Sequence, residues 1–265
     1  MTVARTDLLD RTVAGIAARA RWVLRSEDVP ERAGFLQSVT PTVKLVGVLA
    51  LVTATVVQRE FVTVAALAGV AAGLAAASRV PARTFLGRLA GPPAMALVVV
   101  APQAVLMGGP TVSGLPLSAA GVAYVATFTM RVAACVGFLS LLLLTTRFVD
   151  ILGACRRLRV PAIAVSLLAI TYRYLLLFFA ELERMVRARR SRTLADPDHR
   201  RTWRDSGNFL GTFLLRSLER GERVQRAARA RGGAEPVPRR PSTAVGGADL
   251  AFALVVLATV GVVLS

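Results

Sequence analysis

The sequence predicts an all-α integral membrane protein with about five transmembrane helices and long amphipathic helices on the cytoplasmic side. The chain is 54% hydrophobic and contains several apolar runs close to the ~20 residues that a membrane-spanning helix requires. It also carries a net charge of +17, which is typical of a membrane protein with basic cytoplasmic parts. An ordinary soluble domain and a basic nucleic-acid binder are excluded, since neither carries several long apolar runs.

Residues 1–42 are predicted to form a charged, partly helical cytoplasmic segment, without the long apolar core of a cleavable signal peptide. Its helix either lies on the membrane surface or is solvated. Four transmembrane helices are predicted within residues 43–144. Their apolar runs are about 43–57, 61–77, 94–107 and 118–144. The second run is rich in Gly and Ala, which allow membrane helices to approach closely.

The loops between these runs predict the orientation, because basic loops stay on the cytoplasmic side. Three arginines lie between the second and third runs, residues 108–117 carry no charge, and four arginines follow the fourth run. The N-terminus is therefore predicted inside, residues 108–117 outside, and the chain inside again at residue 145. The arginines are Arg79, Arg83, Arg88, Arg147, Arg156, Arg157 and Arg159.

The apolar run 160–180 is predicted not to cross the membrane fully. If it crossed, residues 181–248 would lie outside although they hold sixteen arginines against eight acidic residues, contrary to the positive-inside rule. We therefore predict that residues 145–248 are cytoplasmic and contain two long helices, the second at about 205–231. The run 249–265 is the fifth span and leaves the C-terminus outside.

A short pattern occurs twice in this region, at residues 183–193 and 222–232, and six of its eleven positions are identical. Each copy puts cations at the end of a helix, which suits the helix dipole. We expect Arg192 and Arg231 to bind acidic groups on a partner with two equivalent pockets. A solvated basic face near anionic lipid is the alternative. The supporting residues of the pattern are Glu183, Arg187, Glu222 and Arg226.

Two arginines interrupt apolar runs, Arg131 in the fourth run and Arg173 in the run 160–180. A charge within a membrane is costly and is a candidate for function by default. The alternative is that each side chain reaches the interface or pairs locally to orient helices. This alternative is favoured for Arg173, and both interpretations stay open for Arg131.

Metal and cofactor chemistry receives no support from the sequence. Cys135, Cys155 and the single His199 cannot make a four-ligand metal site, and the chain has neither a phosphate-binding loop of the Walker type nor an acidic cluster. We therefore predict no catalytic residue, no metal site and no cofactor. A membrane-bound enzyme remains an alternative, although prenyl and phosphate chemistry usually requires clustered aspartates for Mg²⁺.

Several short pieces, taken in order, resemble the transmembrane T component of energy-coupling-factor (ECF) transporters, and within these the cobalt-type branch called CbiQ. Their order and spacing together are specific. The pieces are Pro41-Thr42-Val43-Lys44-Leu45, Arg131-Val132-Ala133, Leu144-Thr145-Thr146, Thr171-Tyr172-Arg173-Tyr174, residues 188–193, residues 215–219 and Ala230-Arg231-Gly232. One departure is Val39-Thr40-Pro41, where the family often has Leu-Asp-Pro. Another is Ser191-Arg192-Thr193, which differs from the Ala-Arg-Gly triplet of many T components but resembles the cobalt-type branch.

The resemblance implies a non-catalytic coupling subunit of an ATP-driven importer in a prokaryotic cell membrane. T components bind two cytoplasmic ATPase subunits through helices that end in Ala-Arg-Gly-type triplets. Here the corresponding positions are Ser191, Arg192 and Thr193 in one helix, and Ala230, Arg231 and Gly232 in the other. Closure of the ATPase pair is transmitted to a separate substrate-binding membrane subunit, with cobalt or another transition-metal ion as cargo. Membrane lipids are the remaining expected partner, and a lipid-binding scaffold is a further alternative.

Overall fold

The computed structural model describes residues 34–108, 118–191, 199–232 and 246–264. These residues belong to two compact units. The first, here called the bundle, comprises the described residues up to 158 together with the C-terminal helix. The second, here called the helix pair, comprises the described residues from 159 to 232. The first 33 residues of the predicted N-terminal segment lie outside the described residues, so its helix stays a prediction.

The described residues form α-helices, as the sequence predicts. In the bundle they are α1 (Phe35–Ser38), α2 (Pro41–Val57), α3 (Phe61–Ala77), α4 (Ala82–Val100), α5 (Gln103–Leu106), α6 (Ala119–Thr145), α7 (Phe148–Arg157) and α10 (Gly247–Leu264). The helix pair consists of α8 (Ala162–Arg190) and α9 (His199–Ala230). Pro41 opens α2 at a first-turn position, where the missing N–H of proline has no intrahelical partner to lose.

Three stretches of the described chain are long and apolar enough to cross a membrane, namely Ala82–Leu106, Ala119–Thr145 and Ala162–Met185. Three shorter apolar helices accompany them, at Pro41–Val57, Phe61–Ala77 and Gly247–Val263. The predicted class, an all-α membrane protein, is confirmed. The stretch Ala162–Met185 meets the length and composition of a span, and the number of helices that cross remains a prediction.

The core of the bundle forms around α6, against which α2, α3 and α4 all pack. Phe138 of α6 is fully buried among apolar residues from the neighbouring helices, including Leu51 and Phe85. By contrast, large apolar side chains such as Met95 and Val98 of α4 are exposed on the outer surface. This arrangement suits a bundle whose surroundings are lipid, where exposed apolar groups carry no penalty.

The first long helix and the last helix of the bundle pack closely together. Phe252 of α10 is fully buried and lies over Gly47 of α2. A Cβ atom added at Gly47 would lie 2.5 Å from Phe252 Cε1 and 3.1 Å from Val256 Cγ2. Glycine at position 47 therefore makes room for the Phe252 ring, as small residues do at membrane helix contacts.

The helix boundaries extend beyond the apolar runs that predicted them. The third run predicts a helix from residue 94, but α4 begins at Ala82. The apolar run starts later than the helix because the first three turns of α4 contain Arg83 and Arg88. The short helix α7 has no counterpart among the runs. It is amphipathic, with buried Leu152 and Ala154 and exposed or half-buried polar residues, so a search for apolar runs misses it.

Candidate functional site

The helix pair is joined by aromatic side chains. Phe178 of α8 packs edge-on against Phe213 of α9, with ring centroids 6.0 Å apart and ring planes at 78°. This geometry is favoured because the positive edge of one ring faces the negative face of the other. Tyr174, one turn earlier on α8, lies 6.3 Å from Phe178. The aromatic contact defines where α8 and α9 meet.

Glu181 adds an electrostatic contact one turn beyond this point. Its carboxylate lies 2.7 Å from the guanidinium of Arg184 on α8, and 3.3 and 3.9 Å from those of Arg216 and Arg220 on α9. Arg216 and Arg220 are four residues apart and share one face of α9. One carboxylate, 19% exposed, therefore holds the two helices together and leaves a surplus of positive charge beside it. The adjoining cleft is lined by Phe178, Glu181, Arg216, Ser217, Glu219, Arg220 and Arg223.

The supporting residues of the repeated pattern form equivalent ion pairs in the two helices. Arg187 lies 3.3 Å from Glu183 in α8, and Arg226 lies 3.9 Å from Glu222 in α9. Both pairs join positions i and i+4, a spacing that stabilises a helix by about 0.2–0.5 kcal/mol. These residues thus reinforce their own helices just before each helix ends.

Both copies of the pattern end where a helix ends. Ser191 follows the last residue of α8, and its hydroxyl donates to the Ala188 carbonyl at 3.0 Å. Ala230 is the last residue of α9, and Gly232 has a φ of +86°, a left-handed conformation that glycine adopts without strain at the end of a helix. Arg231 is exposed, and no hydrogen bond or ion pair joins its side chain to another described residue. Arg192 and Thr193 lie outside the described residues.

Arg131 makes a local structural contact in the bundle. Its Nη2 donates to the Gln58 carbonyl at 2.5 Å, and Gln58 Nε2 donates to the Val263 carbonyl at 2.5 Å. Gln58 caps the C-terminus of α2, where carbonyl groups lack intrahelical partners and a cation suits the dipole. This contact favours a helix-orienting role for Arg131. Arg173 is exposed on α8, and its role remains a prediction.

Potential metal ligands are scattered. Within the described ranges, no three side chains of His, Cys, Asp or Glu lie close enough to hold a metal ion. Cys135 and Cys155 are free thiols.

Among the described residues, the most completely buried charged side chain is one that the sequence does not single out as a site. Lys44, the only lysine beside thirty-two arginines, is 1% exposed near the start of α2. Its Nζ donates to the Thr145 carbonyl at 3.2 Å and to Thr146 Oγ1 at 3.0 Å. Its sequence signal is its rarity, since the basic positions are otherwise arginine.

Asp249 is buried at the same end of the bundle and joins the N-termini of α2 and α10. It accepts hydrogen bonds from the Thr40 N–H at 2.6 Å and the Gly246 N–H at 3.0 Å. Thr40 and Gly246 immediately precede these two helices, where N–H groups need partners and negative charge is favoured. The hydroxyl of Thr40 makes no capping bond. In Val39-Thr40-Pro41, Thr40 stands at the position of the aspartate in the Leu-Asp-Pro pattern. The carboxylate that bonds to the start of α2 is that of Asp249 on α10.

Comparison with known proteins gives a consistent result. The family model described as cobalt transport protein, CbiQ, matches residues 33–243. An uncharacterized protein of Methanocaldococcus jannaschii is 24% identical over 237 residues, which are 85% of this chain and 80% of that protein. The cobalt transport protein CbiQ of Rhodobacter capsulatus is 32% identical over 155 residues, 56% of this chain and 63% of that protein. The matching part thus covers less than two thirds of the Rhodobacter protein.

Proposed function

Since the chain belongs to the CbiQ cobalt transport protein family, we propose that it is the transmembrane coupling subunit of an ATP-driven ECF importer. Its family and its apolar helices make it a multi-pass membrane component of a transport system. In this proposal the chain is not catalytic. It binds two cytoplasmic ATPase subunits and transmits their movement to a separate membrane subunit that binds the substrate.

The observation that carries the proposal is the equivalence of the two helix ends. Each copy of the pattern has an ion pair between positions i and i+4, followed by the end of its helix. Arg231 is exposed and available at the end of α9. Two similar basic ends suit a partner with two equivalent acidic pockets, as in a dimer of ATPase subunits.

The contact between α8 and α9 supports transmission of movement. Glu181 and the pair of Phe178 and Phe213 join the two helices, so that movement at one end of the helix pair is passed along both helices together. Docking is assigned to Ser191, Arg192 and Thr193 on α8, and to Ala230, Arg231 and Gly232 on α9. A lipid-binding role is left to the remaining basic surface.

The cargo is proposed to be cobalt or another transition-metal ion, in keeping with the name of the family. The choice of cargo belongs to the separate substrate-binding subunit, since this chain carries no predicted metal site. We place the N-terminus, the helix pair and residues 145–248 in the cytoplasm of a prokaryotic cell, and the C-terminus outside. The distribution of arginines supports this topology.

The proposal predicts that reversing the charge of both docking arginines, Arg192 and Arg231, abolishes uptake. In Arg192→Glu with Arg231→Glu, each helix end would repel the acidic pocket that it should bind. The tagged chain is co-expressed with the ATPase and substrate-binding subunits of its own organism. Co-purification of the ATPase subunits and uptake of Co²⁺ are then measured. We expect both to be lost while the variant is still found in the membrane.

A matched control reverses two arginines that follow the predicted second helix in the sequence, Arg239→Glu with Arg240→Glu, which changes the net charge by the same amount. Co-purification of the ATPase subunits and uptake of Co²⁺ should both be retained in this control. Undiminished uptake by the variant of Arg192 and Arg231 would contradict the docking assignment. Labelling of Ala230→Cys from the external side of intact cells would contradict the topology.

A further inference from the structure

Two pieces of sequence that the proposed function leaves without a role meet in the bundle. They are Pro41–Leu45 and Leu144–Thr146, about a hundred residues apart in the chain. Lys44 from the first piece donates two hydrogen bonds to the second piece, to the Thr145 carbonyl and to Thr146 Oγ1. The two pieces therefore form one contact, here called the lysine clamp.

The lysine clamp caps the C-terminus of α6. The carbonyl of Thr145 belongs to the last residue of this 27-residue helix, where carbonyl groups have no intrahelical partner and the helix dipole favours a cation. The negative charges of Asp150 and Asp249 also act on the Lys44 ammonium. These partners explain how a charged side chain can be almost completely removed from solvent.

The lysine clamp also holds the turn between α6 and α7. Helix α6 ends at Thr145 and α7 begins at Phe148, so Thr146 lies within a connection of two residues. Helix α7 packs against α2, which carries Lys44. In the sequence, α7 is the last helix of the bundle before the chain continues into the helix pair.

We propose that Lys44 and Thr146 are positioning residues for coupling. They hold the turn between α6 and α7 against α2, so that α7 moves together with the rest of the bundle when the helix pair is displaced. This inference rests on the proposed function. Loss of the clamp would allow α7 to move separately from α2, and the ATPase cycle would then drive less transport.

A pair of neighbouring threonines provides the test. Thr146→Val removes the hydroxyl that accepts from Lys44. Thr145→Val is the matched control, because the Thr145 hydroxyl donates to the Leu141 carbonyl within α6 and the backbone carbonyl that Lys44 contacts is kept. The complete complex is reconstituted in liposomes, and the Co²⁺ imported per ATP hydrolysed is measured.

For Thr146→Val we expect a fall of about fivefold or more in this ratio, the scale of an ordinary coupling free energy, with ATP hydrolysis and co-purification of the ATPase subunits retained. Thr145→Val should keep the ratio of the unchanged protein, and Thr146→Ser, which keeps a hydroxyl, should restore it. An unchanged ratio in Thr146→Val, or an equal loss in both valine variants, would overturn the proposal.

A second measurement does not depend on transport. Spin labels are placed at the exposed positions Val46 on α2 and Val149 on α7, with Cys135 and Cys155 replaced by alanine. Thr146→Val should broaden the distance distribution between the labels, and Thr145→Val should not. Equal distributions in both variants would overturn the proposal. If the unchanged chain binds no ATPase subunits, the proposed function fails, and the distance measurement still decides whether the clamp holds the turn.

Discussion

The bundle and the helix pair both use cations to join helices, but they place them in different surroundings. Lys44 in the bundle is 1% exposed and bonds to uncharged oxygens. In the helix pair, the side chain of Arg216 is 58% exposed and contacts Glu181. A buried charge that loses its partners is strongly destabilising, whereas an exposed ion pair contributes about 0–1 kcal/mol and weakens with salt. The bundle contacts thus favour a fixed arrangement, and the helix-pair contacts favour adjustable association.

The largest effect is expected from Lys44→Met, which removes the ammonium group while keeping an unbranched side chain of similar length. The change leaves the Thr145 carbonyl without its donor and the buried Asp249 without a nearby cation. We expect destabilisation of about 3–5 kcal/mol, measured by thermal or denaturant unfolding in detergent. Thr55→Val is the control, because the buried Thr55 hydroxyl bonds only within α2, to the Leu51 carbonyl. If both variants lost the same stability, the lysine clamp would stabilise the bundle no more than a hydrogen bond within one helix does.

An intermediate effect is expected from Gly47→Ala. The new Cβ would lie 2.5 Å from Phe252 Cε1, so that the buried Phe252 ring or the two helices must shift, at a cost of about 1–3 kcal/mol. Gly69→Ala on α3 is the matched control, because nothing lies within 4 Å of its added Cβ. Alanine also favours helix over glycine, so the control should be neutral or slightly more stable. Thermal unfolding of the two variants side by side checks this, and an equal response would contradict the packing at Gly47.

The smallest effect on stability is expected from Glu181→Gln in the helix pair. Because its partners are exposed, we expect a loss of at most about 1 kcal/mol. The change should instead broaden the distance distribution between spin labels at Leu177 on α8 and Leu214 on α9. High salt should broaden the distribution of the unchanged protein to the same extent.

Glu222→Gln is the control for this comparison, since within the described part of the chain Glu222 pairs only with Arg226 of the same helix. It should leave the distance between the helices unchanged at low salt. A distribution that is insensitive both to Glu181→Gln and to salt would show that Phe178 and Phe213 suffice to join α8 and α9. The contrast between the two units would then be wrong.

The helices of the bundle could largely be predicted, because apolar composition is a local property of the chain. Prediction fails where charged residues interrupt the apolar pattern, as in the first turns of α4, which contain Arg83 and Arg88, and in the amphipathic α7. The repeated pattern correctly places Ser191 and Ala230 at helix ends, since helix-ending signals are also local. The docking role of those ends stays a prediction.

The polar contacts of the bundle could not be predicted in the same way. Lys44 meets Thr146 across 102 positions of the chain, and Thr40 meets Asp249 across 209. Hydrophobic periodicity indicates which face of a helix is buried but not which helix lies against it. The contact of Glu181 with Arg216 could not be predicted for a similar reason, because the two residues are 35 positions apart. Glu181 also lies just before the repeated pattern and is not part of it.

The pairing of α2 with α10 has a consequence for biosynthesis. The N-terminus of α2 depends on Asp249, its C-terminus is linked through Gln58 to Val263, and Phe252 covers Gly47 between them. All three partners follow α2 by about 200 residues and are therefore translated much later. One flank of α2 thus stays unpaired until α10 has been synthesised, and a product truncated before residue 246 would expose that flank to quality control.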